Sequence, residues 1–383
     1  MLAKLVTLAT TMVATTFALS GASASSSSTT TLASPPTALA CAAQTVSTWS
    51  TAKQANEVVA VSINATNVGA LGPAARAGFG AVLLFGTTAP PSLPAILATL
   101  QRERGDHVTT LFMTDAEGGG VLRLSNVLAS IPWAQTMGKN LTNAEIQSEG
   151  ARLGASMLAQ GLNVDLAPVA DLDARAVYPD ARDADGYRAF GGDPTQVAEH
   201  VVAFERGLES AGVLGTLKHF PGLGGASWNT DYGPAHTLSW ATLRSTALVP
   251  YRAALARTSA MVMVSNASVP GLTSLPASIA APVTAYLRDV LDYRGLIMTD
   301  SLSAGALSAR HLSVAQASVD ALVAGADLVL AGNPTSPSAA LAQANATARA
   351  IARAVAAKTL SAATLAAAAS QVVAARSSLA CAP

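Results

Sequence analysis

The sequence predicts an α/β protein, a single-domain (β/α)8 barrel of the TIM type with an alanine-rich C-terminal helix. Three observations indicate this fold class. The chain has 383 residues, 50% of them hydrophobic, so it is long enough to bury a large core. Eight short apolar runs recur along the chain, with amphipathic helical segments between them. Polar residues that can carry chemistry follow most of these runs.

The eight apolar runs have the features of buried strands. They are too short for helices, and Gly, Pro or polar residues bound them. The runs are residues 58–63, 81–85, 110–113, 163–167, 213–217, 261–264, 295–298 and 327–330. Segments 142–160 and 194–211 are predicted helices between strands, and the chain beyond residue 335 is predicted as helix to its end. Alternating strands and helices imply a parallel sheet, and eight units favour a barrel over a doubly wound open sheet.

The N-terminal segment has the features of an export signal. Lys4 is followed by an apolar stretch, residues 5–19, and by small residues at positions 22–24. We predict a signal peptide over residues 1–24, a low-complexity linker over 25–40 and the barrel domain over 41–383. An uncleaved anchor helix is the alternative for the first segment. The expected location is therefore outside the cytoplasm, in a secreted form without a membrane contact once the signal is removed.

The chain has two cysteines, and they bracket the predicted barrel domain. In an exported protein, an even pair at Cys41 and Cys381 predicts a disulfide that ties the two chain ends together. A lipid-modified Cys41 is the alternative.

Composition and motifs exclude several function classes. With 23 basic and 23 acidic side chains the formal net charge is zero, which gives no basis for binding nucleic acid. The sequence spacing shows no metal-ligand cluster and no Gly-x-Ser-x-Gly motif. We therefore expect no metal, no other cofactor and no serine-hydrolase chemistry, and we expect a monomer.

Polar residues follow six of the eight predicted strands. The C-terminal ends of the strands are where a barrel carries its active site, so this alignment predicts a site at that end. The residues in chain order are Asn64, Asp115, Asp171, Lys218 with His219, Asn266 and Asp300.

Two of these positions lie in informative motifs. Asp300 stands in GLIMTDSLS directly after an apolar run, where a carboxylate needs either partners or a function; capping a helix is the alternative. TDAEGGGVLRL places Asp115, Glu117 and Arg123 around three glycines, an arrangement suited to binding hydroxyl groups. Arg188, in GYRAFGGDP, is a further candidate, with a solvated surface arginine as the alternative.

Taken together, the motifs resemble glycoside hydrolase family 3, most of all its single-domain β-N-acetylhexosaminidases. They are KHFPG, TDAEGG followed by Arg123, LAPVAD leading to RAF, IMTDSLS and AGADLVL, and they cover residues 45–335 in the family's order. The resemblance implies a retaining glycosidase that acts on a carbohydrate, such as N-acetylglucosaminides of chitin or cell-wall fragments. It also implies that Asp300 is the nucleophile. The implied sugar-binding residues are Asp115, Arg123, Arg188, Lys218 and His219.

The loop after KHFPG departs from that resemblance. The hexosaminidase branch has a mobile loop there, with a catalytic His oriented by an Asp, but this chain has Asn229 at the Asp position and Asp231 at the His position. Three alternatives follow: Asp231 is the acid/base, His236 replaces it, or neither acts and the protein binds sugar or turns it over slowly. A β-glucosidase and a non-catalytic saccharide-binding protein are the rival functions.

The sequence leaves the roles of Trp228 and of three further histidines undecided. Trp228 is either a sugar-stacking platform or an anchor in the core. The histidines His107 and His200 are predicted to lie on the surface, and His311 has no motif partner.

Overall fold

The computed structural model describes residues 38–376. The predicted signal peptide, most of the linker and Cys381 lie outside the described residues, so the export signal and the disulfide stay predictions. The first helix begins at Ala38, three residues before the predicted domain boundary. Cys41 is buried in this helix, with 7% of its surface exposed.

The strands alternate with helices along the chain, as the sequence predicts. Eight strands are parallel and nearly fully buried, which accounts for their continuous apolar character. A short antiparallel hairpin, β4 and β5, is inserted after β3. The strands are β1 (Val59–Asn64), β2 (Ala81–Phe85), β3 (Leu111–Thr114), β4 (Ala116–Gly118), β5 (Val121–Leu122), β6 (Val164–Asp165), β7 (Thr216–Phe220), β8 (Met261–Val264), β9 (Ile297–Thr299) and β10 (Val329–Leu330).

The helices pack outside the strands and contribute apolar side chains to one continuous core. Their starts follow the capping chemistry of the sequence: Thr142 and Glu145 form a capping box at α6, and Asp193 caps α7. The helices are α1 (Ala38–Ser47), α2 (Thr51–Glu57), α3 (Gly72–Ala77), α4 (Leu93–Arg104), α5 (Ala134–Asn140), α6 (Asn143–Ala159), α7 (Pro194–Ser210), α8 (Trp240–Ser245), α9 (Leu248–Leu255), α10 (Ala281–Ala285), α11 (Gly305–Ser308), α12 (Val314–Val323), α13 (Pro337–Ala356) and α14 (Ala362–Ala374).

The parallel strands form a five-stranded sheet and a three-stranded sheet. Their orders are β10-β1-β2-β3-β6 and β7-β8-β9, so the last of the strands described between residues 38 and 376 pairs with the first. Isolated parallel bridges lie between the sheets, one joining Val164 to Leu214 and the other joining Met298 to Leu328. The fold is therefore α/β, with curled parallel sheets whose carboxyl ends share one side.

Two sequence predictions need correction. The segment beyond residue 335 is not one helix but two, α13 and α14, and the break between them contains Lys358 at a φ of 62°. His200 is not a surface residue: it is buried on α7 with Nδ1 2.8 Å from Asn143 Oδ1. His107 and His311 are exposed, as expected for His107.

Between residues 38 and 376, none of the helices combines the length and the apolar character that a membrane crossing requires.

Candidate active site

A cavity of about 230 Å³ lies at the carboxyl ends of the strands. The strand ends and the loops that follow them supply its walls, as expected for parallel α/β proteins. Seven of the candidate catalytic and sugar-binding residues line it: Asp115, Arg123, Arg188, Lys218, His219, Asp231 and Asp300.

Lys218 is the buried cation at the centre of the site. It lies on β7, is 2% exposed, and its Nζ is 2.8 Å from Asp115 Oδ1 and 2.6 Å from Glu117 Oε1. Burial alone lowers the pKa of Lys218, but the charges of Asp115 and Glu117 outweigh it, so the net shift is upward. The ammonium group therefore stays charged and holds both carboxylates in place.

Glu117 connects Lys218 to Arg188. Arg188 Nε and Nη2 lie 2.7 Å and 2.9 Å from the two Glu117 oxygens, a bidentate pair, and Nη1 donates to Ala184 O at 2.6 Å. Burial raises the pKa of Glu117, but the Arg188 and Lys218 charges reverse this and lower it overall. Arg188 is thus held in the site by an ion pair and is not a solvated surface residue.

Glu117 was named in the TDAEGGGVLRL motif but was assigned no role of its own, although a signal for one exists. Glu117 is two residues after Asp115, and residues two apart in an extended segment point to the same side. Its partner Arg188, however, is 71 residues further along the chain, and no local pattern reveals that contact.

His219 is held as a neutral imidazole by Asp171. Its Nδ1 lies 2.7 Å from Asp171 Oδ2, and its Nε2 lies 3.5 Å from Arg188 Nη2. Burial, followed by the positive charge of Arg188, lowers the pKa of His219 to about 4. The carboxylate partner places the proton on Nδ1, so Nε2 remains an acceptor on the cavity side.

His219 also meets two carboxylates, and together the three side chains are of the kind that can bind a metal ion. One oxygen or nitrogen of each of Asp171, Asp185 and His219 lies within 4.8 Å of the others, a juxtaposition that the sequence spacing did not reveal. Asp171 already accepts hydrogen bonds from the backbone N–H groups of His219 and Leu223. Burial raises the pKa of Asp171 to about 6 and also raises that of Asp185. His219 and Asp171 are thus engaged with each other, whereas Asp185 Oδ1 is buried without a hydrogen-bond partner among residues 38–376.

Asp300 follows β9 directly and presents a free carboxylate oxygen to the cavity. Its Oδ1 accepts a hydrogen bond from Ser301 N at 2.7 Å, and among residues 38–376 no hydrogen bond engages Oδ2. Burial raises the pKa of Asp300, and the nearby charge of Asp231 acts in the same direction. Asp300 caps no helix, since the next helix, α11, begins five residues later.

Arg123 follows β5 and is the cation with unused donors. Its backbone N–H donates to Asp115 O at 2.9 Å, which ties the hairpin to the end of β3. Its buried Nε has no hydrogen-bond partner within the described part of the chain. The guanidinium group is therefore available to a ligand in the cavity.

Asp231 lines the cavity from the loop that follows β7. Its side chain is exposed to solvent at the cavity mouth, yet it is close enough to the surrounding protein that partial burial raises its pKa. Its backbone N–H donates to Asn229 Oδ1 at 3.0 Å, and its carbonyl accepts from Gly305 N at 3.0 Å. Asn229 therefore orients Asp231 through the backbone and not through a side-chain pair.

The loop that carries Asp231 is fixed on two sides. Asn229 also donates to Asp180 O and to Ala181 O, and Ala306 N donates to Thr230 O at 3.0 Å. A Cβ on Gly224 would lie 2.1 Å from Leu172 O, so this glycine serves close packing. These hydrogen bonds and the packing of Gly224 hold the loop against its neighbours.

His236 and Trp228 take no part in the cavity lining. His236 is exposed, and its Nδ1 lies 3.1 Å from Thr237 O. Trp228 packs on a small apolar cluster, formed by Ala184, Leu223, Ala235, Ala267 and Ala226. The structure therefore favours the anchor interpretation of Trp228.

The remaining polar residues at strand ends have supporting positions. Asn266 is buried, donates to Ser301 O at 2.8 Å and accepts from Ser278, which fixes the segment next to Asp300. Asn64 is exposed and accepts hydrogen bonds from Thr66.

A larger cavity, of about 860 Å³, lies at the opposite ends of the strands. Residues at or just before the starts of the strands line it, among them Leu111, Leu214 and Met261. Its charged residues, Glu209, Arg294 and Arg376, come without the convergent carboxylates of the smaller cavity, so we place the chemistry in the smaller one.

The fold and the cavity agree with a comparison to known families. Residues 50–375 match the family described as Glycosyl hydrolase family 3 N terminal domain. The chain therefore belongs to glycosyl hydrolase family 3.

Individual relatives are similar at moderate identity. The beta-hexosaminidase LpqI of Mycobacterium tuberculosis is 35% identical over 225 residues, which cover 56% of this chain and 56% of LpqI. The match thus spans little more than half of that relative. A crystal structure of a family member from Mycobacterium smegmatis superposes with a TM-score of 0.77 at 30% identity, covering 86% of this chain and 98% of that one. The beta-N-acetylhexosaminidase from Beutenbergia cavernae gives a TM-score of 0.76 at 30% identity, with coverages of 86% and 99%.

Proposed function

We propose that this protein is a retaining glycoside hydrolase that cleaves β-linked N-acetylhexosaminides. The observation that carries the proposal is the Asp300 carboxylate. One of its oxygens is free among the described residues, and it faces a cavity that also holds Asp231 and a cluster of buried cations. Glycoside hydrolysis uses two carboxyl groups at one cavity, and the retaining outcome is what the family resemblance implies.

In the first step, Asp300 is the nucleophile. Its carboxylate oxygen forms a bond to the anomeric carbon of the bound sugar as the bond from that carbon to the leaving oxygen breaks. Asp231 donates its proton to the leaving oxygen, a role for which the raised pKa of its carboxyl group is suited. The product is a covalent glycosyl-enzyme, and the aglycone leaves as an alcohol.

In the second step, water releases the sugar. Ionised Asp231 accepts a proton from the water, whose oxygen attacks the anomeric carbon while the bond to Asp300 breaks. Asp300 is restored as a carboxylate and Asp231 as an acid. The overall configuration at the anomeric carbon is retained because it is inverted twice.

Sugar hydroxyls have fixed partners in the cavity. Asp115 can accept hydrogen bonds, while Arg123, Arg188 and Lys218 donate and His219 offers Nε2 as an acceptor. The relatives named beta-hexosaminidase support an N-acetylhexosaminide, such as chitin or cell-wall fragments, as the substrate class.

The proposal is tested with nitrophenyl β-N-acetylglucosaminide and nitrophenyl β-glucoside. We expect hydrolysis of the first, and a loss of at least about 1000-fold in kcat for Asp300→Ala, because the covalent intermediate cannot form. Asp289→Ala, which removes an exposed aspartate upstream of β9, is the matched control and keeps full activity. Preference for the glucoside would favour the β-glucosidase alternative, and sugar binding without turnover would favour the non-catalytic one.

We further propose that the two sheets form one closed eight-stranded (β/α)8 barrel. Backbone hydrogen bonds across both gaps support this, from Leu214 N to Asn163 O and from Thr299 N to Leu328 O. The pairing of β1 with β10 supports it as well, because an open doubly wound sheet keeps its first and last strands apart. Amide hydrogen exchange tests closure: the Leu214 and Thr299 amides should be as protected as Leu83 inside the sheet, whereas an open edge would exchange rapidly.

We also propose that the protein is exported as a monomer, with residues 1–24 removed and Cys41 bonded to Cys381. An intact mass of the secreted protein should begin at Ser25, and reduction should add about two hydrogens to it. A mass that includes residues 1–24 would contradict cleavage. An added lipid would support the alternative for Cys41.

A further inference from the structure

An aromatic cluster stands at the surface of the protein and is not part of the catalytic cavity. It consists of Trp133, Tyr178 and Tyr187, whose ring centroids are 6.0, 5.9 and 5.1 Å apart. Tyr178 exposes 70% of its surface, the largest exposed fraction of any large hydrophobic residue described between positions 38 and 376. Two further rings thus support one exposed aromatic side chain, an arrangement suited to contact with a ligand.

The aromatic cluster is continuous with the rim of the cavity. Tyr178 directly precedes Pro179 and Asp180, and both of these line the cavity. On the other side, Trp133 packs on the turn between β4 and β5, and Val121 of β5 is also a lining residue. Tyr178 therefore adjoins the rim of the cavity through its chain neighbours.

The aromatic cluster is held in place before any ligand binds. A Cβ on Gly119 would lie 2.1 Å from the indole of Trp133, so the ring rests directly on this turn and leaves no room for a side chain. Tyr187 N donates to Val177 O at 2.9 Å, and a Cβ on Gly186 would lie 2.1 Å from the same oxygen. The ring of Tyr178 is thus preorganised, which lowers the entropy cost of binding.

We propose that Tyr178, supported by Trp133 and Tyr187, forms a subsite for the sugar residue on the leaving-group side of the scissile bond. This inference rests on the proposed function. The C–H face of a pyranose ring is apolar and packs on an aromatic ring, while its hydroxyls need polar partners at the edge. Asp180, Asn229 and Asn333 supply such partners among the lining residues.

A saccharide fits this surface better than a protein partner does. The exposed area is one aromatic ring next to a narrow cavity, far smaller than a protein interface requires. The adjoining cavity is lined mostly by polar and charged groups, which match the hydroxyl groups of a sugar chain.

The test compares a disaccharide with a substrate whose leaving group is too small to reach Tyr178. Diacetylchitobiose and methyl β-N-acetylglucosaminide form this pair. For Tyr178→Ala we expect KM for diacetylchitobiose to rise about 10-fold, since an aromatic contact is worth that much, and a far smaller change for the methyl glycoside. Tyr178→Phe keeps the ring and should restore the wild-type KM. Leu158→Ala, which removes an exposed side chain of α6, is the surface control.

A binding measurement separates failure of the subsite from failure of the proposed function. In the Asp300→Ala background, calorimetry should show diacetylchitobiose binding about 10-fold more weakly once Tyr178 is also replaced by Ala, with N-acetylglucosamine nearly unaffected. That result supports the subsite even if the wild type proves inactive. Three results would each overturn the proposed subsite. They are equal losses of affinity for both ligands, an unchanged disaccharide affinity, and no disaccharide binding in the Asp300→Ala variant.

Discussion

At the scale of single residues, the proton donor is the position where this chain departs from the family pattern. Asp231 lines the cavity and has a raised pKa, whereas His236 is exposed and lies outside the lining. A proton donor matters most for a poor leaving group, because a nitrophenolate departs without protonation. Asp231→Ala should therefore lower kcat/KM about 100-fold or more on diacetylchitobiose and much less on the nitrophenyl substrate.

His236→Ala is the matched control for that prediction, since it removes a neighbouring ionisable side chain of the same loop. We expect both substrates to be hydrolysed at near wild-type rates by this variant. If His236→Ala instead shows the leaving-group dependence and Asp231→Ala does not, the assignment of the proton donor is wrong.

The pH profile of kcat/KM gives a second residue-scale prediction. Asp300 must be ionised, so the rate falls as pH drops through its pKa; Asp231 must be protonated, so the rate falls as pH rises through its pKa. Burial raises both pKa values above those of ordinary aspartates. Asp231→His should move the basic limb to higher pH, because a histidine has an unperturbed pKa near 6.5. An unmoved basic limb, measured on diacetylchitobiose, would contradict the assignment.

The sequence pointed to seven ionisable residues of the cavity lining but not to the network behind them. Asp115, Lys218 and Asp300 follow or end apolar strands, so a strand-end pattern locates them. Asp185 is different, because it lies in the long loop between β6 and α7. Its side chain is buried beside Asp171 and His219, and no local sequence pattern indicates that contact. Contacts between residues distant in the chain depend on the tertiary fold, and local sequence patterns do not predict them.

At the scale of elements, the loop over residues 227–236 is held by the start of α11. Gly305 N donates to Asp231 O, and a Cβ on Gly305 would lie 2.6 Å from Tyr232 C and 2.8 Å from Asp231 O. Gly305→Ala must therefore displace Asp231. We expect kcat on diacetylchitobiose to fall about 10-fold or more, and the nitrophenyl substrate to be less affected, because misplacement of a catalytic group mainly slows the step that needs it.

Ala306→Gly is the control for this element, because it lies next to Gly305 and keeps the backbone N–H that donates to Thr230 O. Ala306→Gly should keep the wild-type ratio of kcat on diacetylchitobiose to kcat on the nitrophenyl substrate. An unchanged ratio in Gly305→Ala as well would show that the loop does not depend on this contact.

Element boundaries were predictable to within a few residues. Strands β2 and β8 match their predicted runs, whereas β7 begins three residues later than predicted and extends through Lys218 and His219. The alanine-rich C-terminal segment was harder, because alanine favours helix on both sides of the break. The break is marked by the left-handed Lys358 and by Ser361, which caps α14.

At the scale of the whole molecule, a buried acid couples stability to pH. Glu205 of α7 is fully buried, and its Oε1 accepts from Gly215 N at 3.1 Å. Burial raises its pKa well above the usual value, so the folded state keeps a proton that the unfolded state loses as pH rises. This contribution to stability is complete below the unfolded pKa, near 4.3, and is lost as pH rises toward the folded pKa.

Glu205→Gln keeps the hydrogen bond to Gly215 and removes this titration. Between pH 5 and pH 7, the free energy of urea unfolding of the variant should rise relative to that of the wild type by up to about 1.4 kcal/mol per pH unit. Glu199→Gln, an exposed glutamate of the same helix paired with Arg257, should show no such gain, because its ion pair lowers its pKa. A pH-independent difference between Glu205→Gln and the wild type would contradict a protonated Glu205.

The central claim is that Asp300 forms a covalent bond with the anomeric carbon of the substrate. A 2-deoxy-2-fluoro or 5-fluoro glycosyl fluoride slows release of the sugar, so the intermediate accumulates and peptide mass spectrometry locates it. The account predicts one sugar per chain, attached to the peptide that contains Asp300 and absent in Asp300→Ala. A label on any other residue, or turnover without a trapped intermediate and with inverted stereochemistry, would contradict it.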